Sequence, residues 1–227
     1  MTLYTALGIY ETEKNKGGQH PVVAAAGERQ LVDIPEMVIW ASLKNRFLEL
    51  SQLEKLYNER IAVYGLQDVP ACSAYIDRML QRGLITDGHG DTGHDALYDL
   101  LGDLQIVPTT QSAWQRVIRF LRLSIAGRLP LRMTRTLLKK DHLSYCEREI
   151  MALCGKVRLS AAEAITCIEQ GSTNLASDAD VKGALYTDGY TTCDNIAGEA
   201  RTCRNELPCL TAIANLYLRR HIRLERI

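Results

Sequence analysis

Between Ile34 and Asp87 the chain carries three apolar stripes in succession, each at helical spacing and each closed by a stop signal. Three short amphipathic helices must bury their apolar faces against one another or against a sheet, so this stretch constrains the fold most. The first stripe runs from about Pro35 to Lys44, with Met37, Val38, Trp40, Ala41 and Leu43 apolar. Its proline suits a first helical position, where a missing N–H costs nothing. Phe47-Leu48-Glu49-Leu50 alternates like a short strand. Ser51, with Glu54 three residues on, spells a capping box for the second helix. Leu53, Leu56, Tyr57 and Ile61 line that helix, and Gly65 ends it. Asp68 is the expected next N-cap, with Pro70 in the first turn. Ala71, Ala74, Tyr75, Met79 and Leu80 form the third stripe, which Gly83 stops. Leu84-Ile85 begins a strand, and a loop is expected from Thr86 to Gly93.

The flanks are organised differently. Residues 2–33 read as strands with turns at Gly17-Gly18 and Gly27-Glu28, which places a hairpin before the first helix. Asp95 to Leu104 reads as a short helix. Pro108 breaks the chain, and a helix from Thr110 or Ser112 to Ala126 follows. Arg116, Arg119 and Arg122 recur along its flank, and Arg128, Arg132, Arg135, Lys139 and Lys140 follow it. From Leu143 onward the order of the first stretch returns: a helix over Tyr145 to Leu153, a short strand Val157-Arg158-Leu159, a helix capped by Ser160 and Glu163, a last helix from Leu207 to Arg220, and a strand Ile222 to Glu225.

This return suggests an internal repeat. Matching Ser51-x-x-Glu54 to Ser160-x-x-Glu163 gives an offset of 109 residues (160 − 51), and matching Gly83 to His221 gives 138 (221 − 83). The second copy then carries an insertion of 29 residues (138 − 109) within about 172–206.

The formal net charge is zero, but it is distributed unevenly. Residues 1–105 hold nine Lys/Arg and fifteen Asp/Glu, residues 106–145 hold eight basic residues and only Asp141, and residues 146–227 hold ten basic and eleven acidic. The middle block is therefore the one candidate surface for phosphate binding by counterion release. An ordinary solvated helix face explains the same run equally well.

The start MTLYTALGIYETEKNK lacks a charged segment followed by an apolar run, and no stretch approaches the roughly 18 apolar residues of a membrane span. A cytoplasmic location and no membrane partner are expected. Seven cysteines without a C-x-x-C pair read as reduced thiols. Cys193, Cys203 and Cys209 match no common zinc spacing and read as buried small hydrophobes rather than a thiol sensor. His89, Asp91 and His94 could surround a metal, but a polar glycine-rich loop explains them more simply. No phosphate loop, dinucleotide fingerprint, nucleophile elbow or H-E-x-x-H is present. Neither an enzyme nor a cofactor or metal is expected.

Residues 34–87 resemble the winged helix-turn-helix superfamily of bacterial regulators, through Ser51-x-x-Glu54 and through Leu80-Gln81-Arg82-Gly83-Leu84-Ile85 leading into a wing. The expected fold is mainly α with small β-wings (α+β), in two winged-helix-like units joined by a helical connector. The expected domains are 1–95, a basic connector 96–140, and 141–227. The resemblance implies a DNA-binding transcriptional regulator, with double-stranded DNA as partner and a homodimer as the working form. The third helix would offer Ser73, Arg78, Gln81 and Arg82. The connector would add Arg116, Arg119, Arg122, Arg132, Arg135, Lys139 and Lys140, and the second unit Arg219, Arg220 and Arg223.

A second resemblance points elsewhere. Val22 to Leu43 with Ile39-Trp40, then Gln67-Asp68-Val69 and Leu80 to Ile85, is similar to the PqqD-like peptide-recognition domain, although Lys44-Asn45 stands where that family has Asp-Gly. It implies an adaptor that binds a leader peptide or partner protein by adding a strand to a sheet edge. DNA binding needs a third helix and the connector arginines on one exposed positive face. Peptide binding needs an open sheet edge beside an apolar groove, with the basic residues elsewhere or self-paired.

Overall fold

The computed structural model describes residues 1–109 and 142–226, apart from Lys16, Gly17, Ala26, Gln67, Asp68, Thr173, Asp188 and Asp194. Strand β1 (Thr2–Ala6) opens the chain, followed by a meander of β2 (Ile9–Asn15), β3 (Gly18–Ala25) and β4 (Glu28–Leu31). Helices α1 (Ile34–Leu43), α2 (Leu50–Val63) and α3 (Cys72–Gln81) follow, then β5 (Ile85–His89), α4 (Gly93–Leu101) and β6 (Leu104–Pro108). The C-terminal half holds α5 (Tyr145–Cys154), β7 (Leu159–Ser160), α6 (Ala161–Glu169), α7 (Asp178–Leu185), α8 (Ile196–Ala200), α9 (Glu206–Leu218) and β8 (Ile222–Arg226). The architecture is α+β with small antiparallel sheets, ordered β1-β5, β2-β3-β4 and β7-β6-β8.

Two apolar cores form. Trp40, Leu43, Leu53, Tyr57 and Met79 of α1–α3 pack on Val23 of the meander. Leu100, Ile106, Ile150, Leu159, Ile165, Ile213 and Leu224 build the other. Strand β1 serves both, because alternate residues face opposite ways: Tyr4 and Ala6 join the first core, Leu3 and Leu7 the second. Tyr217 of α9 pins the joint. Its buried hydroxyl accepts from Thr5 Oγ1 at 2.9 Å and from the Asn45 amide at 3.1 Å, and donates to the Ala6 carbonyl at 3.0 Å.

The element order recurs in the two halves, in a different register from the one the sequence suggests. Leu48 bridges Tyr4 of β1, and β1 pairs with β5. In the same way Leu159 pairs with Ile106 of β6, and β6 pairs with β8. Helices α1 and α5 each open on a capping box whose third-position glutamate is buried, Glu36 (2% exposed) and Glu147 (3%). Each glutamate receives an arginine from the end of its half's last helix. Arg82 Nη1 lies 2.7 Å from Glu36, and Arg219 Nη1 3.3 Å from Glu147. Both of these helices close with the same turn. Gly83 (φ 65°) and Arg220 (φ 66°) take the left-handed conformation, and the next amide bonds five residues back, Leu84 to Met79 and His221 to Leu216. Leu48 to Leu159 is an offset of 111 residues (159 − 48) and Gly83 to Arg220 one of 137 (220 − 83), so the second copy is longer by 26 (137 − 111).

Several local expectations change. The strand expected at Phe47–Leu50 is the single bridge at Leu48. Helix α2 has Glu49 at its N-cap, whose amide donates to Gln52 Oε1 at 3.3 Å, in place of the expected Ser51 and Glu54. Helix α3 starts at Cys72 after Ala71, so Pro70 precedes it. Much of the expected loop 86–93 is strand β5, paired along its length with β1. Residues 96–108, assigned above to the connector, form most of α4 and the whole of β6, the central strand of its sheet. Beyond Thr109 the rest of the connector, including its seven cationic site residues from Arg116 to Lys140, lies outside the described residues.

Candidate functional site

The third-helix cations expected to read DNA are paired with carboxylates while staying partly exposed. Arg78 places Nη2 2.9 Å from Asp33 and Nε 2.8 Å from Glu36, with its guanidinium over the Tyr75 ring. Arg82 adds to its Glu36 pair a bond to Gln30 Oε1 at 3.1 Å and one to the Leu31 carbonyl. These contacts tie α3 to β4 and to the start of α1. Ser73 and Gln81 stay exposed, beside the exposed acid Asp77. In the second half Arg219 holds Glu147, and Arg223 Nε lies 2.6 Å from Glu225. Arg220 stands apart from these pairs.

The same contacts decide which edge of the meander is open. Arg82 occupies the Leu31 carbonyl on β4, and Gln30 Nε2 donates to the Arg82 carbonyl. Strand β2 is the other edge, and among the described residues only β3 pairs with it. A groove of about 510 Å³ lies between Tyr10 of β2, α1 and the end of α2, lined by Tyr10, Met37, Trp40, Ala41, Val63 and Tyr64 together with Lys44 and Arg60. Val63 is 85% exposed and Tyr64 58%.

Local sequence explains this groove. Helix α1 is apolar on two sides: Val38, Ile39 and Leu43 face the core, while Ala41 is exposed and Met37 half-buried. A helix with a second apolar side has room for a second partner. Val63 ends α2 off the buried Leu53–Tyr57–Ile61 stripe, and Tyr64, its C-cap, stays exposed just before Gly65. The Tyr10 ring stacks tilted against Trp40, with centroids 6.3 Å apart.

At the C-terminal end of α1 this groove meets a second cavity of about 520 Å³ where the two halves join, and the two share Trp40, Ala41, Lys44 and Arg60. Other clefts have different chemistry. One beside α4 presents Asp91, Asp95, Asp99 and Asp103. Another, between α6, α7 and α8, holds Tyr186, whose hydroxyl bonds Glu163 at 2.7 Å.

The histidines have separate carboxylates, His89 with Asp87 at 3.2 Å and His94 with Glu206 at 3.1 Å. Among the described residues no three metal-ligating side chains gather. Burial pushes the Cys72, Cys154, Cys167 and Cys209 thiols up to about 12, so they stay protonated at neutral pH and act as small apolar side chains. Among the described residues no helix is long and apolar enough to cross a membrane.

No family model, curated protein or solved structure matches this chain. The functional reading therefore rests on the geometry above. Tyr10, Lys44, Val63 and Tyr64 were not singled out from the sequence as binding residues. The available signal was Val63, a large apolar residue off the buried stripe at a helix end.

Proposed function

We propose that this chain is a binding adaptor that captures an extended polypeptide segment as an added strand on β2. The observation that carries the reading is that β2, an edge strand of the meander, contributes Tyr10 to an exposed apolar groove. Backbone groups of the segment bond to β2, and alternate side chains enter the groove. The pairing of Arg78, Arg82 and Arg219 with Glu36 and Glu147 supports the same reading, because it offsets positive charge that a DNA-facing surface would use. PqqD-like domains, which the sequence resembles, use this mode of capture.

One added strand on β2 belongs to the weak, transient class of interfaces, with affinities on the order of micromolar. Selection of random peptides on the immobilised full chain should enrich apolar-alternating sequences. Val63→Asp should weaken them about tenfold or more while leaving stability within about 0.5 kcal/mol, because the side chain is exposed. Failure to enrich any peptide, or binders indifferent to Val63→Asp, would count against the reading. Duplex DNA is the competing partner, favoured by the eight basic residues and single acid of 106–145. Salt-sensitive DNA binding with no peptide enrichment would move the assignment there.

A further inference from the structure

Strand capture leaves the second cavity without a role, although its chemistry is one-sided. Its wall carries Lys44, Arg46, Arg60, Arg220 and Arg223, and among the described residues no aspartate or glutamate lines it. Among the described residues only Arg223 of these has a carboxylate partner, Glu225. Lys44 lies 4.7 Å from the Trp40 ring centre. Burial, and then the nearby Arg220 guanidinium, hold its ammonium below the ordinary lysine range. Cations brought together without an anion repel one another, and this costs stability.

The backbone points to the same place. Among the described residues the non-glycine positions with positive φ are Asn45 (55°) and Arg220 (66°), and both line this cavity. Asparagine tolerates that conformation, whereas a long side chain adopts it at a cost. The other half shows the cheaper solution, since Gly83 makes the same turn. Thr109 fixes the turn by donating its hydroxyl to the Arg220 carbonyl at 2.6 Å. Strain of this kind persists where the side chain it delivers is used.

We infer that the cavity is an anion subsite for the captured segment. A carboxylate of that segment lies against Lys44, Arg46, Arg60 and Arg220 while its apolar neighbours occupy the groove. This rests on the strand-capture reading for the source of the carboxylate, and the groove's continuity with the cavity through Trp40, Ala41, Lys44 and Arg60 argues for that source. The recognised class is therefore an extended peptide with an acidic residue or free C-terminus beside apolar residues.

Two arms separate the site from the source of its ligand. In the first, inorganic sulfate is titrated into the full chain and followed by the amide resonances of Asn45 and Arg46. Wild type should saturate, and Arg220→Gly and Lys44→Met should each bind about tenfold more weakly, as expected for losing one charge-assisted hydrogen bond. Arg220→Gly keeps the turn, because glycine already makes it in the first half. No saturation in wild type, or equal affinity in the variants, overturns the anion site. In the second arm, a selected peptide is compared with its Glu→Gln counterpart. The acidic form should bind wild type about tenfold more tightly and lose that advantage in Arg220→Gly. Equal binding by wild type overturns the assignment of the site to the peptide. Sulfate binding with no peptide binding at all overturns strand capture and the peptide source, but upholds the anion site.

Discussion

Replacing Glu36 by alanine should destabilise the fold by about 3 kcal/mol, measured as the loss of unfolding free energy in urea. The carboxylate is 2% exposed and accepts from Arg82 Nη1, Arg78 Nε and the Asp33 amide. Removing one partner of a buried ion pair costs about 3–5 kcal/mol. The two arginine side chains are 29% and 49% exposed and can rehydrate, which lowers that figure to about 2 kcal/mol, and the lost helix cap restores about 1. Glu147→Ala should cost less, because among the described residues it meets one arginine, longer-bonded at 3.3 Å and 45% exposed. A loss under about 1 kcal/mol for Glu36→Ala would mean that solvent already screens the cluster. Arg78 and Arg82 would then be free for another partner, and the case against DNA reading by α3 would weaken.

Gly8→Ala should cost more, above about 3 kcal/mol. Gly8 sits between β1 and β2 with φ 75°, and a Cβ there would lie 2.1 Å from the Ala24 carbonyl oxygen and 2.9 Å from the Ala25 Cα. Both atoms are backbone of β3, so no side-chain rotation relieves the clash and the meander itself must shift. The Gly8 amide also donates to the Leu224 carbonyl at 3.2 Å, which links the two halves. Gly27 is the internal control, with φ 79° and open space around its Cβ position. Gly27→Ala should carry only the left-handed penalty of about 1–2 kcal/mol. Equal losses at the two positions would show that the close approach to Ala24 contributes nothing.

The helices of Ile34 to Asp87 were legible because their information is local: apolar spacing, glycine stops and a proline at the first turn. The second half was legible as a return of the same order, yet its register was displaced. Ser51-x-x-Glu54 looks like a capping box, whereas Glu49, an uncommon N-cap residue, is the one used. What stayed hidden depends on distant partners. Nothing near Thr2–Ala6 announces a pairing with Ile85–His89. Nothing near Arg78 announces Asp33 or Glu36, so an exposed cation and a paired one read alike. The groove requires knowing that β2 is an edge and that the end of α2 lies beside it. The cavity requires side chains from both halves, which are far apart in the sequence and are joined by contacts such as those of Tyr217 with Thr5 and Ala6.

Amide hydrogen exchange of the full chain, with and without an enriched peptide, tests strand capture most directly. Strand addition predicts new protection at alternate amides of Ile9–Asn15, those turned away from β3, with β4 and α3 unchanged. Protection confined to α3 or β4, or no change on β2 at saturating peptide, would contradict it.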